Sequence, residues 1–259
     1  MNDDGIFRDG FKPGDVVVVT GGGGGFGRAF CRRFARAGAR LAIWDVKADL
    51  GQETLRQVRD LGAEAEFYEG DLADQVDIDR CVAATLERFG APFLLINNAS
   101  IYPRFDVLNM NPGVWERTFR VNVTAPFLIS KAFGPGMIAR KRGLIINVAS
   151  GRGVEGTPGG SGYAATKAAL LSFTKSLALE WARHNIRVNA IIPGVSLTAQ
   201  PLENTTEEEV IERGRKSIPL GRVGYPEDMA GLAAFLASPD AAYMTGQAVA
   251  MNGGRVLLP

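Results

Sequence analysis

Short apolar runs alternate with longer amphipathic runs along most of the chain. The run 15–19 holds consecutive valines without polar alternation, as expected of a parallel strand that is buried on both faces. The same reasoning predicts strands at 40–44, 63–68, 93–99, 144–149, 186–192 and 248–251, and helices at 28–37, 48–61, 75–89, 114–140, 163–184 and 226–237. This alternation predicts an α/β fold: a single doubly wound domain whose seven-stranded parallel sheet carries helices on both faces.

The ends of this pattern set the expected domain limits. Residues 1–14 are polar and rich in Gly and Asp, which predicts a loose N-terminal arm, and residues 15–259 form one domain. No repeat, low-complexity tail or linker separates a second domain.

A glycine-rich turn joins the first strand to the first helix. Glycines in such a turn allow positive φ and a close approach of pyrophosphate to the backbone, and the helix N-terminus offers free N–H groups to the phosphates. A glycine run alone is more often a flexible loop, but this one stands between a clear strand and a clear helix. The context therefore predicts dinucleotide binding, with Gly21, Gly25 and Gly27 shaping the turn.

Asp45 ends the second strand, about 20 residues after Gly25, where a carboxylate accepts hydrogen bonds from an adenosine ribose. The same carboxylate repels a 2′-phosphate, and the glycine loop has no basic residue before Arg28. NAD is therefore favoured over NADP, although Lys47 lies close by. Asp45 could also cap the helix that begins at Ala48, and the two roles are compatible.

Tyr163 and Lys167 are one helical turn apart, so both side chains project from the same face of the predicted helix. A neighbouring cation favours phenolate over phenol, which would bring the tyrosine pKa towards neutrality and allow proton exchange with an alcohol or carbonyl oxygen. The competing interpretation is an ordinary surface pair. Other residues support the chemical interpretation.

Several polar residues follow predicted strands or interrupt an apolar helix. Asp71 and Asn98 stand at strand ends, where ligands of open α/β sheets bind, and Ser150 ends the fifth strand. Asn122 lies among apolar neighbours, so its amide must be hydrogen-bonded; it could brace the main chain or hold a water.

Composition excludes several other classes of function. The 259 residues carry a formal net charge of +1 and show no basic patch, so neither nucleic acid nor an anionic membrane is an expected partner. Cys31 and Cys81 form no CxxC motif, and His184 is the one histidine, so no metal site is expected and His184 is assigned no catalytic role. The start of the chain lacks signal-peptide features and no run of about 18 apolar residues occurs, which predicts a cytoplasmic location.

These motifs together resemble the short-chain dehydrogenases/reductases, which have a Rossmann fold. The resemblance covers 15–254 and rests on the order and spacing of Thr20-Gly21-x-x-x-Gly25-x-Gly27, Asn97-Asn98-Ala99, Asn122, Ser150, Tyr163-x-x-x-Lys167 and Pro193-Gly194-x-x-x-Thr198. It implies an oxidoreductase that transfers a hydride between NAD(H) and a secondary alcohol or its ketone, alicyclic or aromatic.

The resemblance also implies a role for each matching residue. Ser150 would hydrogen-bond the substrate oxygen, Tyr163 would act as acid/base, Lys167 would hold the nicotinamide ribose and lower the tyrosine pKa, and Asn122 would retain a relay water. The expected cofactor-binding residues are Gly21, Gly25, Phe26, Gly27, Asp45, Asp71, Leu72, Asn98, Ala99, Tyr163, Lys167, Pro193, Gly194 and Thr198. Three residues depart from the family pattern: Ser100 replaces a glycine, Ser196 a Val or Ile, and Asn252 an aspartate.

Substrate choice is expected to depend on 101–105, 152–161 and a lid at about 199–217. Arg152 could pair with a substrate carboxylate or phosphate, or form a structural pair with Glu155. The resemblance further implies a homotetramer, paired through the helices 114–139 and 163–184 and through the last helix and strand. Two alternatives keep the fold: an NADP-dependent ketone reductase, and a non-catalytic NAD-binding regulatory protein.

Overall fold

A computed structural model of the chain describes residues 10–197 and 206–257. Their strands form one parallel sheet in the order β3-β2-β1-β4-β5-β6-β7. The strands are β1 Val16–Thr20, β2 Arg40–Asp45, β3 Ala65–Glu69, β4 Leu94–Asn97, β5 Gly143–Val148, β6 Ile186–Pro193 and β7 Ala248–Met251. The predicted doubly wound, seven-stranded fold is confirmed.

Helices cover both faces of the sheet. They are α1 Gly25–Arg36, α2 Ala48–Asp60, α3 Gln75–Phe89, α4 Pro112–Phe119, α5 Ala125–Arg140, α6 Arg152–Glu155, α7 Ser161–Trp181, α8 Glu207–Ser217 and α9 Pro226–Ala237. The predicted helix 114–140 is in fact α4 and α5 joined by a π-helical turn, Arg120–Thr124. The predicted helix 163–184 ends in a short 3₁₀ turn, Ala182–His184.

The valines of β1 show why this strand has no polar face. Val17 and Val19 pack with α1 and α9, whereas Val16 and Val18 face α3, α5 and α7 on the other side of the sheet. All four side chains are at most 3% exposed. Because side chains alternate between the faces of a strand, a central strand covered on both faces must be apolar throughout.

The order of the strands places a crevice beside β1. The chain builds β1, β2 and β3 in one direction and then returns to place β4 on the other side of β1. Ligands of open α/β sheets bind outside the carboxyl ends of the strands at such a reversal. The glycine-rich turn after β1 and the Asn-Asn-Ala segment at the end of β4 both lie at this edge.

The described part of the expected N-terminal arm is packed on the domain. The Phe11 ring lies 5.4 Å from the Phe34 ring and 6.3 Å from the Phe93 ring, between centroids, and the Phe11 N–H donates to the Ala237 carbonyl. The arm is therefore anchored from about Phe11 onward, because the Phe11 side chain is partly buried against α1. None of the helices in the described ranges has both the length and the apolar character needed to cross a bilayer.

Candidate active site

The glycine-rich turn forms a cradle at the N-terminus of α1. A Cβ at Gly27 would overlap the carbonyl oxygen of Gly21, whereas a Cβ at Gly24 would meet no atom within 4 Å. Gly21 and Gly25 have φ of 62° and 47°, the left-handed region that glycine adopts most easily. No side chain caps α1, so its first N–H groups face the open space above the turn. This arrangement fits a pyrophosphate group.

Thr20 ties this cradle to the end of β4. Its hydroxyl accepts hydrogen bonds from the N–H groups of Asn98 and Ala99, at 3.0 and 3.1 Å. The Asn98 amide in turn donates to the carbonyls of Thr20 and Gly21. Sequence reasoning gave Thr20 no function of its own, although its place at the end of a central strand was a usable signal.

Asp45 lies beside the cradle, as the sequence predicted. Its carboxylate accepts from the N–H of Gly23 at 2.8 Å and from the N–H of Lys47 at 2.9 Å. The Arg28 guanidinium is bonded to the Gly23 carbonyl and to the Thr54 hydroxyl. Asp45 does not cap α2, since the N-cap of that helix is Lys47 and makes no side-chain bond.

Asp71 and Leu72 follow β3 at the same edge of the sheet. Asp71 accepts from the Ala73 N–H at 2.9 Å and forms a 2.8 Å ion pair with Arg117. Partial burial acts to raise the pKa of the Asp71 carboxyl, but the Ala73 and Arg117 hydrogen bonds hold that pKa below its ordinary value. Leu72 is buried. A salt bridge therefore fixes this part of the edge to α4.

Tyr163 and Lys167 lie one above the other on α7, and both are buried, at 9% and 2% exposure. The Lys167 Nζ is 5.5 Å from the centre of the Tyr163 ring and donates a 2.7 Å hydrogen bond to the Val148 carbonyl at the end of β5. The hydroxyls of Ser150 and Ser100 are close enough to the Tyr163 hydroxyl to act on its pKa. The sequence had identified Ser100 only as a departure from the family glycine.

The electrostatics of this pair differ from the expectation. Burial raises the pKa of the Tyr163 hydroxyl above its ordinary value, while the Ser150 and Ser100 hydroxyls and the Arg152 charge act to lower it. Burial also lowers the pKa of the Lys167 amine to about 7. The expected net depression of the Tyr163 pKa is therefore wrong, because the loss of water around the hydroxyl outweighs the groups that stabilise its charged form.

Asn122 lies fully buried in the π-helical turn. Its Oδ1 accepts from the N–H of Ile101 at 2.9 Å, and its Nδ2 donates to the Ile101 carbonyl at 3.0 Å and to the Thr166 hydroxyl at 3.1 Å. The Thr166 hydroxyl donates to the Tyr163 carbonyl. The side chain thus braces the main chain between the loop after β4 and α7, the first of the two roles that its burial had suggested.

Two further buried asparagines, missed by the sequence reasoning, hold α7 against the sheet. The Asn97 amide donates to Asn147 Oδ1 at 2.8 Å, and the Asn147 amide donates to the Thr174 hydroxyl at 2.9 Å. All three side chains are at most 3% exposed. Because broken hydrogen bonds are costly in such a place, this chain of bonds sets the position of α7 relative to β4 and β5.

The segment after β6 lies at the same carboxyl end of the sheet as the residues described above. Gly194 packs so closely on Asn252 that a Cβ there would lie 2.7 Å from the Asn252 Cα, and its N–H donates to Met251. The Ser196 hydroxyl donates to the Gly194 carbonyl at 3.3 Å, and the Asn252 amide donates to the Val256 carbonyl. Thr198 and the lid residues 199–205 lie outside the described residues, while the rest of the expected lid is α8 and the residue before it.

Comparison with known proteins identifies the class to which this fold and site belong. The family described as enoyl-(acyl carrier protein) reductase matches residues 22–255. The sorbitol dehydrogenase of Cereibacter sphaeroides is 36% identical over 93% of this chain and 97% of its own. A 2-(S)-hydroxypropyl-CoM dehydrogenase of Xanthobacter autotrophicus is 35% identical over 93% and 96%.

A solved structure from Beutenbergia cavernae agrees with this class. It is described provisionally as an NAD(P)-dependent gluconate 5-dehydrogenase with NADP bound at low occupancy. Its TM-score is 0.88 at 36% identity, covering 94% of this chain and 97% of that one. The present chain belongs to the short-chain dehydrogenase/reductase family and is an NAD(P)-dependent oxidoreductase.

Ser100 is expected to lower the pKa of the Tyr163 hydroxyl, because a hydroxyl that donates to phenolate stabilises the charged form. Replacing Ser100 by alanine removes that donor, so Tyr163 should ionise at higher pH than in the wild-type protein. The measurement is the near-ultraviolet phenolate absorbance during a pH titration, with Tyr163→Phe subtracted to isolate this residue. An unchanged or lower pKa in Ser100→Ala would contradict the prediction.

Proposed function

We propose that this enzyme transfers a hydride between NAD(H) and a secondary alcohol or its ketone, with Tyr163 as the acid/base. The observation that carries the proposal is the setting of the Tyr163 hydroxyl. It meets the Ser150 and Ser100 hydroxyls, and Ser100 directly follows the Ala99 backbone that packs against Gly21 of the cradle. A proton-transfer group therefore stands beside a site shaped for a dinucleotide.

The residues divide the work of alcohol oxidation among them. Tyr163, as phenolate, removes the hydroxyl proton of the substrate. Ser150 donates a hydrogen bond to the same substrate oxygen, a contribution worth about 10²–10³ in rate for one such donor. The bound cofactor supplies the hydride acceptor for the oxidation, or the hydride donor for the reduction of a ketone.

Lys167 is placed to hold the nicotinamide ribose hydroxyls and to tune Tyr163. Its amine donates to the Val148 carbonyl, and burial lowers its pKa to about 7, so it is partly neutral at physiological pH. Ribose hydroxyls would add acceptors for the ammonium form and so favour the charged state. A more fully charged Lys167 would lower the Tyr163 pKa, as the sequence had suggested. Asn122 acts on this pair by holding Ile101 and Thr166 in place.

Asp45 supports NAD as the cofactor. Its carboxylate is fixed by the Gly23 and Lys47 N–H groups at the place where an adenosine ribose would lie. The nearby Arg28 guanidinium already donates to the Gly23 carbonyl and the Thr54 hydroxyl, so these donors are not free to bind a 2′-phosphate. Asp71, Leu72, Pro193 and Gly194 are proposed to line the remainder of the site.

An NADP-dependent ketone reductase remains the second candidate, because the Beutenbergia cavernae structure holds NADP. A non-catalytic regulatory protein could lose the acid/base groups without losing cofactor binding. This chain retains Ser150, Tyr163 and Lys167 together with the braced Asn122, which favours catalysis over that alternative.

Tyr163→Phe should lower kcat by about 10²–10⁴-fold, because it removes the proton-transfer group, and should leave NAD⁺ affinity nearly unchanged. The measurement is NADH formation with a panel of secondary alcohols and polyols, alongside NAD⁺ binding by fluorescence. Tyr68→Phe is the matched control, since the Tyr68 hydroxyl bonds the Ala84 carbonyl under a different part of the sheet. Full turnover in Tyr163→Phe would refute the role of the phenol.

Asp45→Asn keeps an oxygen acceptor for the Gly23 N–H but removes the negative charge. We expect NAD⁺ to bind about 10-fold or more weakly and NADP⁺ to bind more tightly, because the ribose loses a charged acceptor and a 2′-phosphate loses a repulsion. Fluorescence titration of both cofactors measures the change, with exposed Asp49→Asn on α2 as control. Tighter binding of NADP⁺ than NAD⁺ by the wild-type protein would overturn the NAD assignment.

A homotetramer is proposed as the working form. Apolar side chains are exposed on helices that the resemblance places at an interface: Phe127 on α5 is 46% exposed and Leu179 on α7 is 83% exposed. Light scattering of the purified protein should give a mass of about four chains. A monomer at micromolar concentration would exclude the tetramer, and Phe127→Asp should dissociate it.

A further inference from the structure

Two loops form the rim of the crevice above Tyr163. The Phe105 N–H donates to the Gly159 carbonyl at 2.9 Å, which joins the loop after β4 to the loop that precedes α7. The Tyr102 ring lies against Gly160 and stacks on the Tyr163 ring with centroids 4.3 Å apart. Side chains of these loops therefore meet whatever substrate reaches the Tyr163 hydroxyl.

Arg152 begins α6 in the second of these loops. Its N–H donates to the Ser150 hydroxyl at 3.2 Å. The next residue, Gly153, packs on the α7 backbone so closely that a Cβ would lie 2.7 Å from the carbonyl carbon of Lys167. The main chain at Arg152 is thus held beside both Ser150 and α7, and the guanidinium is near enough to act electrostatically on the Tyr163 hydroxyl.

The Arg152 side chain has no carboxylate partner among residues 10–197 and 206–257. Glu155, which the sequence offered as a structural partner, is exposed and forms no ion pair with Arg152 there. Other arginines at the edges of this domain are paired: Arg117 with Asp71 and Arg222 with Asp228, at 2.8 and 2.7 Å. The half-buried Arg152 guanidinium therefore has no anionic partner within the described residues.

A second guanidinium, that of Arg104, lies at the rim. Arg104 lies over the Tyr102 ring, 5.1 Å from its centroid, and it is exposed. No ion pair holds Arg104 within the described part of the chain. Arg104 therefore lies close to the Tyr102 ring, and Lys167 and Arg152 lie close to Tyr163, so three cationic side chains are near the two tyrosines.

We infer that the substrate carries a carboxylate close to its reacting carbon and that Arg152 binds this carboxylate. The inference rests on the proposed function and narrows it from secondary alcohols in general to hydroxy acids and the corresponding oxo acids. A guanidinium presents parallel N–H donors that match the two oxygens of a carboxylate. A phosphate ester shares this chemistry, but its third oxygen and second charge call for further donors, so the carboxylate is favoured.

The experiment compares matched substrates with the purified enzyme and NAD⁺. Each hydroxy acid is tested beside its methyl ester and its phosphate-bearing analogue, for example 3-hydroxybutyrate beside methyl 3-hydroxybutyrate, and gluconate beside sorbitol and sorbitol 6-phosphate. The wild-type kcat/KM should favour the carboxylate about 10- to 100-fold, the range expected for one charge-assisted contact. Arg152→Gln should abolish this preference, chiefly through KM, and Arg152→Lys should restore part of it.

Arg36→Gln is the matched control, since it removes the same charge from an exposed position in the last turn of α1. It should leave the ratio between carboxylate and ester unchanged. Calorimetry adds a readout that needs no turnover: hydroxy acids should bind the NAD⁺-loaded wild-type protein and bind the Arg152→Gln protein about 10-fold or more weakly.

The outcomes separate this inference from the proposed function. Equal kcat/KM for acids and esters, or a preference that survives in Arg152→Gln, would overturn the carboxylate assignment and leave the dehydrogenase intact. A preference for the phosphate-bearing substrates would replace carboxylate by phosphate. If no substrate is oxidised, the proposed function fails, and calorimetry still decides whether Arg152 holds a carboxylate.

Discussion

The burial of the Lys167 amine beneath Tyr163 is the constraint on which the site depends. A lysine at 2% exposure has lost nearly all its water, and a single carbonyl, that of Val148, accepts from it. Such a group is partly neutral at physiological pH, so its charge responds to what binds nearby. The same burial raises the pKa of the tyrosine, so the pair is set for proton exchange only together with the polar groups around it.

Those polar groups lie just beyond the carboxyl ends of two neighbouring strands. Ser150 follows β5 and Ser100 follows β4, and both hydroxyls meet the Tyr163 hydroxyl. The residue before Ser100 is fixed by Thr20, and the residue after it is fixed by Asn122. The short loop that carries Ser100 is therefore held at both ends by buried hydrogen bonds. A hydroxyl held in this way loses little freedom when it binds, so it suits a role in positioning the acid/base.

Much of this fold could be predicted because the sequence of each strand indicates which of its faces are buried. Four valines in a row identify a strand covered on both faces, and the glycine turn has meaning only after such a strand. The π-helical turn could not be predicted in this way, since its residues fall within one continuous helical pattern in the sequence. The packing of Phe11 could not be predicted either, because an isolated aromatic residue in a polar segment does not indicate what it will pack against.

The candidate site shows the same division between local pattern and distant contact. The spacing of Tyr163 and Lys167 predicts two side chains on one helix face, a property of the helix alone, and the Lys167 Nζ lies 5.5 Å from the centre of the Tyr163 ring. The pKa of Tyr163 is shifted in the direction opposite to the prediction, since desolvation depends on what the rest of the chain packs around its hydroxyl. The Asn97–Asn147–Thr174 bonds join residues from β4, β5 and α7, and only the sheet order brings them together.

Hydrogen bonds between residues far apart in the sequence also link the two halves of the site, which are the glycine cradle and the surroundings of Tyr163. The Thr20 hydroxyl accepts from Asn98 and Ala99, and the Asn98 amide returns to Gly21 in the cradle. Ser100, which acts on the Tyr163 hydroxyl, is the residue after Ala99. The glycine cradle and Tyr163, the proposed acid/base, therefore both depend on the end of β4, and a shift of either would be transmitted through these hydrogen bonds. The relative position of the glycine cradle and Tyr163 thus follows from how β1 and β4 end side by side.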